Sequence, residues 1–236
     1  MVAERDGYVP FATGSDFPVL CNGVLRLDDR VPASEMLDAA DGWFAELRRG
    51  YTVLVRDLDL DRDLAAEAQQ RGMLEVEHPP EMVCRSRLED RPVPAAAGLR
   101  WVVDDDGIRD FITVNTAAYG SLGMPPDVMP AIITPGPAFL EPHIQTVVAY
   151  LDDQPVAAAQ TVLSHGIAGV YWVGTVERAR GTGLGESVTR AVTNRAFDLG
   201  AVANTLQASP MGEPIYLRMG YETVYHYRGY TLFEPR

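Results

Sequence analysis

The sequence predicts an α/β (α+β) fold: a mixed sheet flanked by helices, laid out as two unequal halves. Three observations lead to it. Apolar runs of strand length alternate along the chain with stretches of helical apolar spacing. A break rich in proline and small residues at 88–98, Leu-Glu-Asp-Arg-Pro-Val-Pro-Ala-Ala-Ala-Gly, separates two such series. Each series also ends alike, with Gln-Arg-Gly-Met-Leu-Glu-Val at Gln70 to Val76 and Arg-Met-Gly-Tyr-Glu-Thr-Val at Arg218 to Val224. In both, a glycine closes a helix and launches a strand. The domains expected are 1–90 and 99–236, with 91–98 as the linker.

In order, residues 1–17 read as polar and irregular, and Phe17 to Leu27 as a strand. Pro32-Ala33-Ser34-Glu35 starts a helix whose face holds Met36, Leu37, Ala40, Trp43, Phe44 and Leu47, with Gly50 as its stop. Tyr51 to Val55 is a strand, Leu64 to Gln70 a helix, and Met73 to Val76 and Glu81 to Arg87 are weaker strands split by Pro79-Pro80. After the break, Leu99 to Val103 is a strand. Asp104-Asp105-Asp106 then opens a helix to Tyr119, its carboxylates offsetting the helix dipole. The proline-rich 120–142 segment reads as loop with one short helix near Asp127 to Ile133, a length that marks a functional or mobile segment. Gln145 to Tyr150 and Val156 to Leu163 form a hairpin. Strands at Ile167 to Val173 and Val202 to Gln207 flank a helix ending at Leu199. A short helix at Gly212 to Met219 and a strand pair from Tyr221 to Phe233 complete the chain.

Composition narrows the function. The chain has 236 residues, 47% hydrophobic and 22% charged, as expected of a soluble globular protein. Its N-terminus lacks a secretory signal pattern, and no apolar run approaches the roughly 20 residues of a spanning helix. Cys21 and Cys84 make no disulfide framework, so a cytoplasmic setting is expected. The four histidines show no ligand spacing, so no metal is expected. The formal charge of −13 argues against nucleic acid and anionic membranes as partners. A polyanionic ligand would therefore need a local basic site.

The stretch Trp172 to Glu186 offers one. A strand ends in a turn holding Arg180, Gly181, Gly183 and Gly185, and a helix begins at about Gly183. Strand, glycine turn and helix start aim backbone N–H groups and the positive end of a helix dipole at one spot, which suits phosphate. Arg180 could add a charge-assisted bond. Arg178 lies in the same turn, while Arg190 and Arg195 on the helix read as solvated surface. The spacing is not that of a dinucleotide fingerprint, because Glu186 occupies the third glycine position, and no lysine is present for a Walker loop. In the first half, Asp28-Asp29 stand where the second half has its glycines, and two carboxylates would repel phosphate.

Arg180-Gly181-Thr182-Gly183-Leu184-Gly185 resembles the acetyl-CoA signature of the GNAT superfamily of N-acetyltransferases, Gln/Arg-x-x-Gly-x-Gly/Ala. Arg178-x-x-Gly181-x-Gly183 satisfies the same pattern, and the later frame is preferred because Leu184 precedes its last glycine. Ser209 to Tyr221 is similar to the family's late segment, in which a helix carries a tyrosine before Gly-Phe. Ser209 stands where many relatives have asparagine. The resemblance covers roughly residues 99–233 and implies a mostly antiparallel acetyltransferase-type sheet. Residues 1–90 resemble a degenerate copy of that fold, as in tandem members.

The resemblance implies transfer of an acetyl group from acetyl-CoA, as co-substrate, to an amine by direct attack. It places the pyrophosphate on Gly181, Thr182, Gly183, Leu184 and Gly185, with Arg180 and Ser209 also at the cofactor. It sets the pantetheine arm on the main chain of Val173 and Thr175 or Val176, and makes Tyr216 the general acid for the leaving thiolate. Glu141, His143, His165 and Tyr171 all stay open as general base, as does ordered water, and His165 beside Gly166 also reads as a turn residue. The acceptor, a small-molecule or peptide amine, is expected under the 120–142 segment. A non-catalytic acyl-CoA-binding or regulatory module is the alternative. The first half is open as a dimerisation surface, which would make a homodimer, or as a partner-docking surface.

Overall fold

The computed structural model describes residues 1–235, apart from the side chain of Glu77. In chain order its strands and α-helices are β1 (Tyr8–Ala12), β2 (Asn22–Arg26), α1 (Ala33–Leu47), β3 (Tyr51–Arg56), α2 (Arg62–Gln70), β4 (Leu74–Glu77), β5 (Pro80–Cys84) and β6 (Ala97–Trp101). There follow α3 (Asp105–Gly120), α4 (Val128–Ile132), β7 (Ile144–Leu151), β8 (Gln154–Ser164), β9 (Ile167–Thr175), α5 (Leu184–Asp198), β10 (Ala203–Gln207), α6 (Glu213–Met219) and β11 (Glu222–Leu232). The pairing is mixed and mostly antiparallel, with helices packed on the strands, which is the fold class expected.

Two compact units result, Met1–Glu81 with Tyr225–Arg236, and Met82–Val224. These are not the spans 1–90 and 99–236. The last strand runs antiparallel to β3, from Tyr227↔Arg56 to Leu232↔Tyr51, and so gives its end to the N-terminal unit. That strand is continuous from Glu222 to Leu232 rather than the pair expected at 221–233. The stretch 1–17 is not wholly irregular either, because Tyr8–Ala12 pairs with Asn22–Arg26.

In the N-terminal unit α1 buries Met36, Leu37, Ala40 and Phe44 against Val24, Tyr51, Val53 and Tyr230. β2 and β3 are parallel neighbours joined through α1. In the second unit β9 and β10 are likewise parallel and joined through α5. A short helix and a strand follow in each, and the glycine between them, Gly72 or Gly220, has positive φ (68° and 106°), where a side chain would be strained.

The second unit packs α3 and α5 on β7, β8 and β9 around a core that includes Ile108, Phe111, Val147, Ala158, Val188 and Val192. Asp104 caps α3 by accepting the Gly107 N–H at 2.9 Å, as its acidic run suggested. The hairpin turn is built on Asp152 and Asp153, both at positive φ. The 120–142 segment holds α4 where a short helix was expected, and it buries Val128, Met129 and Ile133 in the core.

The break at 88–98 is not a free linker. Asn194 of α5 accepts the Leu88 N–H at 2.8 Å and donates to the Leu88 carbonyl at 3.1 Å. Arg190 donates to the Glu89 carbonyl at 2.7 Å, and Arg91 pairs with Glu186 at 3.2 Å. Buried main-chain groups must find partners, and α5 supplies them along its length.

Candidate active site

The turn between β9 and α5 forms because two of its glycines hold backbone angles that other residues resist. Gly181 has φ 76° and Gly183, the N-cap of α5, has φ 84°. Gly185 serves differently: a Cβ there would meet Thr175 Oγ1 at 3.1 Å. Nothing lies within 4 Å of where a Gly181 side chain would begin. Among the described residues, the N–H groups of Gly183 through Glu186 have no backbone acceptor, and Ser187 is the first to bond back, to Gly183 at 3.0 Å. Four consecutive donors at the positive end of a helix make an anion site.

The first half has the opposite polarity at its corresponding turn. The guanidinium of Arg26, 1% exposed, collects the carbonyls of Asp28 at 3.1 Å, Val31 at 2.8 Å and Leu60 at 3.0 Å. It also pairs with Asp63 at 2.5 Å. Carbonyls converge on a cation there, so this turn offers an anion nothing.

Beside the glycine turn the sheet opens. β9 pairs with β10 only from Ile167↔Ala203 to Gly169↔Thr205, after which the strands separate. On its other side β9 stays paired with β8, and a bulge falls between the pairs Gln160↔Tyr171 and Ala158↔Gly174. Trp172 sits in that bulge at φ 52°, an uncommon conformation for a bulky residue. The Val176 N–H donates to the Val156 carbonyl of β8 at 2.9 Å, so it faces away from the opening. Strand alternation then turns the main-chain groups of Val173 and Thr175 towards it. Of the three residues expected to hold an extended ligand arm, Val176 is thereby excluded.

Other expected residues divide. Leu184 is buried, so only its amide faces the turn. The Thr182 hydroxyl donates to the Ala179 carbonyl at 2.7 Å, and Ser209 Oγ accepts the Gly212 N–H at 3.2 Å at the start of α6. Arg180 points inward, donating to the Thr175 carbonyl at 3.3 Å and to Ser121 Oγ at 2.5 Å. Arg178 is exposed and has no ion-pair partner among the described residues. Arg190 is not solvated as expected: it is 7% exposed and paired with Glu186 at 2.6 Å.

Tyr216, on α6, is buried beside Tyr221, with ring centroids 5.9 Å apart. Gly212 makes room for it, since a Cβ there would lie 2.8 Å from the ring. Burial pushes its hydroxyl up to about 12, opposed by a hydrogen bond to Thr189. The hydroxyl therefore stays protonated at neutral pH and can donate. Tyr119, at the end of α3, stacks edge-on against Trp172 at 5.5 Å, and burial raises its hydroxyl too, with Tyr216 as the second influence. The contact between Tyr119 and Trp172 was not legible in the sequence, because nothing local marks a helix-end tyrosine and a strand tryptophan as neighbours. His165 sits in the β8–β9 turn at φ 51°, bonded to Ser164, before β9 begins. His143 and Glu141 precede β7 at that same end of the sheet, whereas Tyr171 borders the bulge.

No protein-family model matches the sequence, and no curated protein matches it. Solved structures do match in fold. A GCN5-related N-acetyltransferase from Kribbella flavida superposes with a TM-score of 0.76 at 22% identity, covering 100% of this chain and 90% of its own. One from Sphaerobacter thermophilus gives 0.70 at 13% identity, covering 96% and 76%. A tandem GNAT protein from the clavulanic acid biosynthesis pathway gives 0.57 at 14% identity, covering 84% and 68%. With a strand pair that parts beside a glycine turn, and with these structural neighbours, the chain carries the fold of the GCN5-related N-acetyltransferases.

Proposed function

We propose that this chain is an acetyl-CoA-dependent N-acetyltransferase, moving an acetyl group to an amine of a small molecule or peptide by direct attack. The observation that carries the proposal is the row of unpaired amides from Gly183 to Glu186 beside the parted edges of β9 and β10. The residues fit the donor: open space at Gly181 admits a pyrophosphate to the amides, and the main-chain groups of Val173 and the N–H of Thr175, whose carbonyl accepts from Arg180, are offered to an amide-bearing arm. Acetyl-CoA would supply the thioester carbonyl that the amine attacks.

The rest falls to the chain's own side chains and backbone. A strand-edge N–H of Val173 or Thr175 would stabilise charge developing on the carbonyl oxygen. Tyr216 would give its hydroxyl proton to the departing sulfur, and the proton shed by the attacking amine, taken up by water, would restore the tyrosine. The N-terminal unit, whose turn gathers carbonyls around Arg26, is read as a degenerate half-copy that binds no donor. A cytoplasmic setting accords with Cys21 and Cys84, both unpaired and buried.

A thiol-release screen of amines and peptides with acetyl-CoA tests the proposal. Release with at least one amine is expected. Stabilisation by CoA with no release from any amine would instead establish an acyl-CoA-binding module.

A further inference from the structure

A cavity of about 540 Å³ lies on the outer side of α5, away from the parted strands. Its size falls within the ~300–1,000 Å³ of small-molecule sites. The strap at 87–94 forms one wall, α5 the floor, and Leu99 and Trp101 of β6 the other wall. Gly183 closes one end. The walls are fixed by buried side chains, because Asn194 and Arg190, 6% and 7% exposed, hold the strap main chain.

The lining combines charge with a flat apolar surface. Four arginines (Arg87, Arg91, Arg190, Arg195) face three carboxylates (Asp90, Glu186, Asp198), a local excess of positive charge in a chain of net −13. Arg190 and Arg91 share Glu186, and Arg87 spans Asp90 and Asp198 at 3.1 and 3.4 Å. Arg195 has no carboxylate partner among the described residues. Its Nε donates to Gln145 Oε1 at 3.0 Å, and its guanidinium stands 6.0 Å from the centre of the Trp101 ring. Trp101 itself is 41% exposed. A guanidinium that pairs with no carboxylate and lies over a part-exposed indole suits a ligand with an anionic group on a planar ring.

We infer that this cavity is a second ligand site, adjoining the donor turn only at Gly183 and Glu186, which takes a planar aromatic anion. An aromatic carboxylate and a nucleoside monophosphate share that chemistry: the ring lies on Trp101 and the anion meets Arg195, with Arg91 and Arg87 at the rim.

Calorimetric titration of the full chain with benzene-1,3-dicarboxylate and, separately, with adenosine monophosphate tests this and tells the two sources apart. One probe is expected to bind with 1:1 stoichiometry. Arg195→Gln and Trp101→Leu should each weaken it about tenfold, with melting curves unchanged, since both side chains are exposed. Affinity for CoA, measured in parallel, should stay the same in both variants. The inference is overturned if neither probe binds at millimolar concentration, if both variants bind as the parent does, or if CoA displaces the probe. Loss of CoA binding by the parent protein would refute the proposed activity and leave this site untouched.

Discussion

The Arg180 guanidinium donates to Ser121 Oγ at 2.5 Å and to the Ala118 carbonyl at 3.3 Å. It therefore caps the last turn of α3, where a cation offsets the helix dipole. Arg180→Ala should cost about 1–2 kcal/mol, seen as a melting temperature lower by about 2–8 °C. Affinity for CoA should fall less than stability does, because the charge is spent inside the protein.

Arg178, exposed two residues earlier, should behave in the reverse way. Arg178→Ala is expected to raise the Kd for CoA about three- to tenfold at low salt, with no change in melting temperature. The difference should shrink as ionic strength rises, because exposed charges are screened. Titrations at two salt concentrations check it.

Gly183→Asp should abolish CoA binding. The position holds φ 84°, which costs a residue with a Cβ about 1–2 kcal/mol, and the new carboxylate would compete for the amides. Gly183→Ala isolates the strain and should retain weakened binding. Tight binding by the aspartate variant would sink the assignment of the turn.

Tyr216→Phe should lower kcat about 10²-fold while KM for acetyl-CoA moves little. The hydroxyl, raised to about 12 by burial, should impose no alkaline decline on the parent enzyme until the pH nears that value. Gly212→Ala should act in the same direction, since its Cβ would press on the Tyr216 ring. Steady-state kinetics of both variants decide whether the residue is an acid or a core tyrosine.

Asp61, fully buried, receives the Arg56 Nε at 2.7 Å and the Arg56 N–H at 2.8 Å. Removing the cation strands a buried charge, so Arg56→Met should destabilise the protein by about 3–5 kcal/mol. The double variant with Asp61→Leu should recover part of that loss. Denaturant unfolding of both variants measures the difference.

Periodicity made α1, α3 and α5 readable, and the glycine spacing made the anion turn readable, because both are dictated by residues adjacent in sequence. β1 was hidden by Pro10 within a polar context, though it pairs as a strand with Val24 opposite. The strap at 88–91 looked like a linker because its partners, Asn194 and Arg190, lie about a hundred residues away. Arg180 illustrates the same limit at the site: spacing located the cation beside the turn, whereas its direction depended on Ala118 and Ser121. The parity of Val173, Thr175 and Val176 was likewise unreadable, since the Trp172 bulge shifts which edge each amide faces.

The pairing of β11 with β3 also has a consequence for biosynthesis. Gly50 lies so close to that strand that a Cβ would meet the Leu232 carbonyl at 2.3 Å, so the N-terminal unit is shaped to receive it. A chain leaving the ribosome presents β3 with an unfilled edge until Tyr227 to Leu232 emerge. Domains commonly complete themselves in the order of their synthesis. In this chain the order is inverted: the part carrying the anion turn can close first, and the part made first waits for β11. A stop codon just before Tyr225 should therefore unravel the beginning of the protein while leaving its donor turn folded.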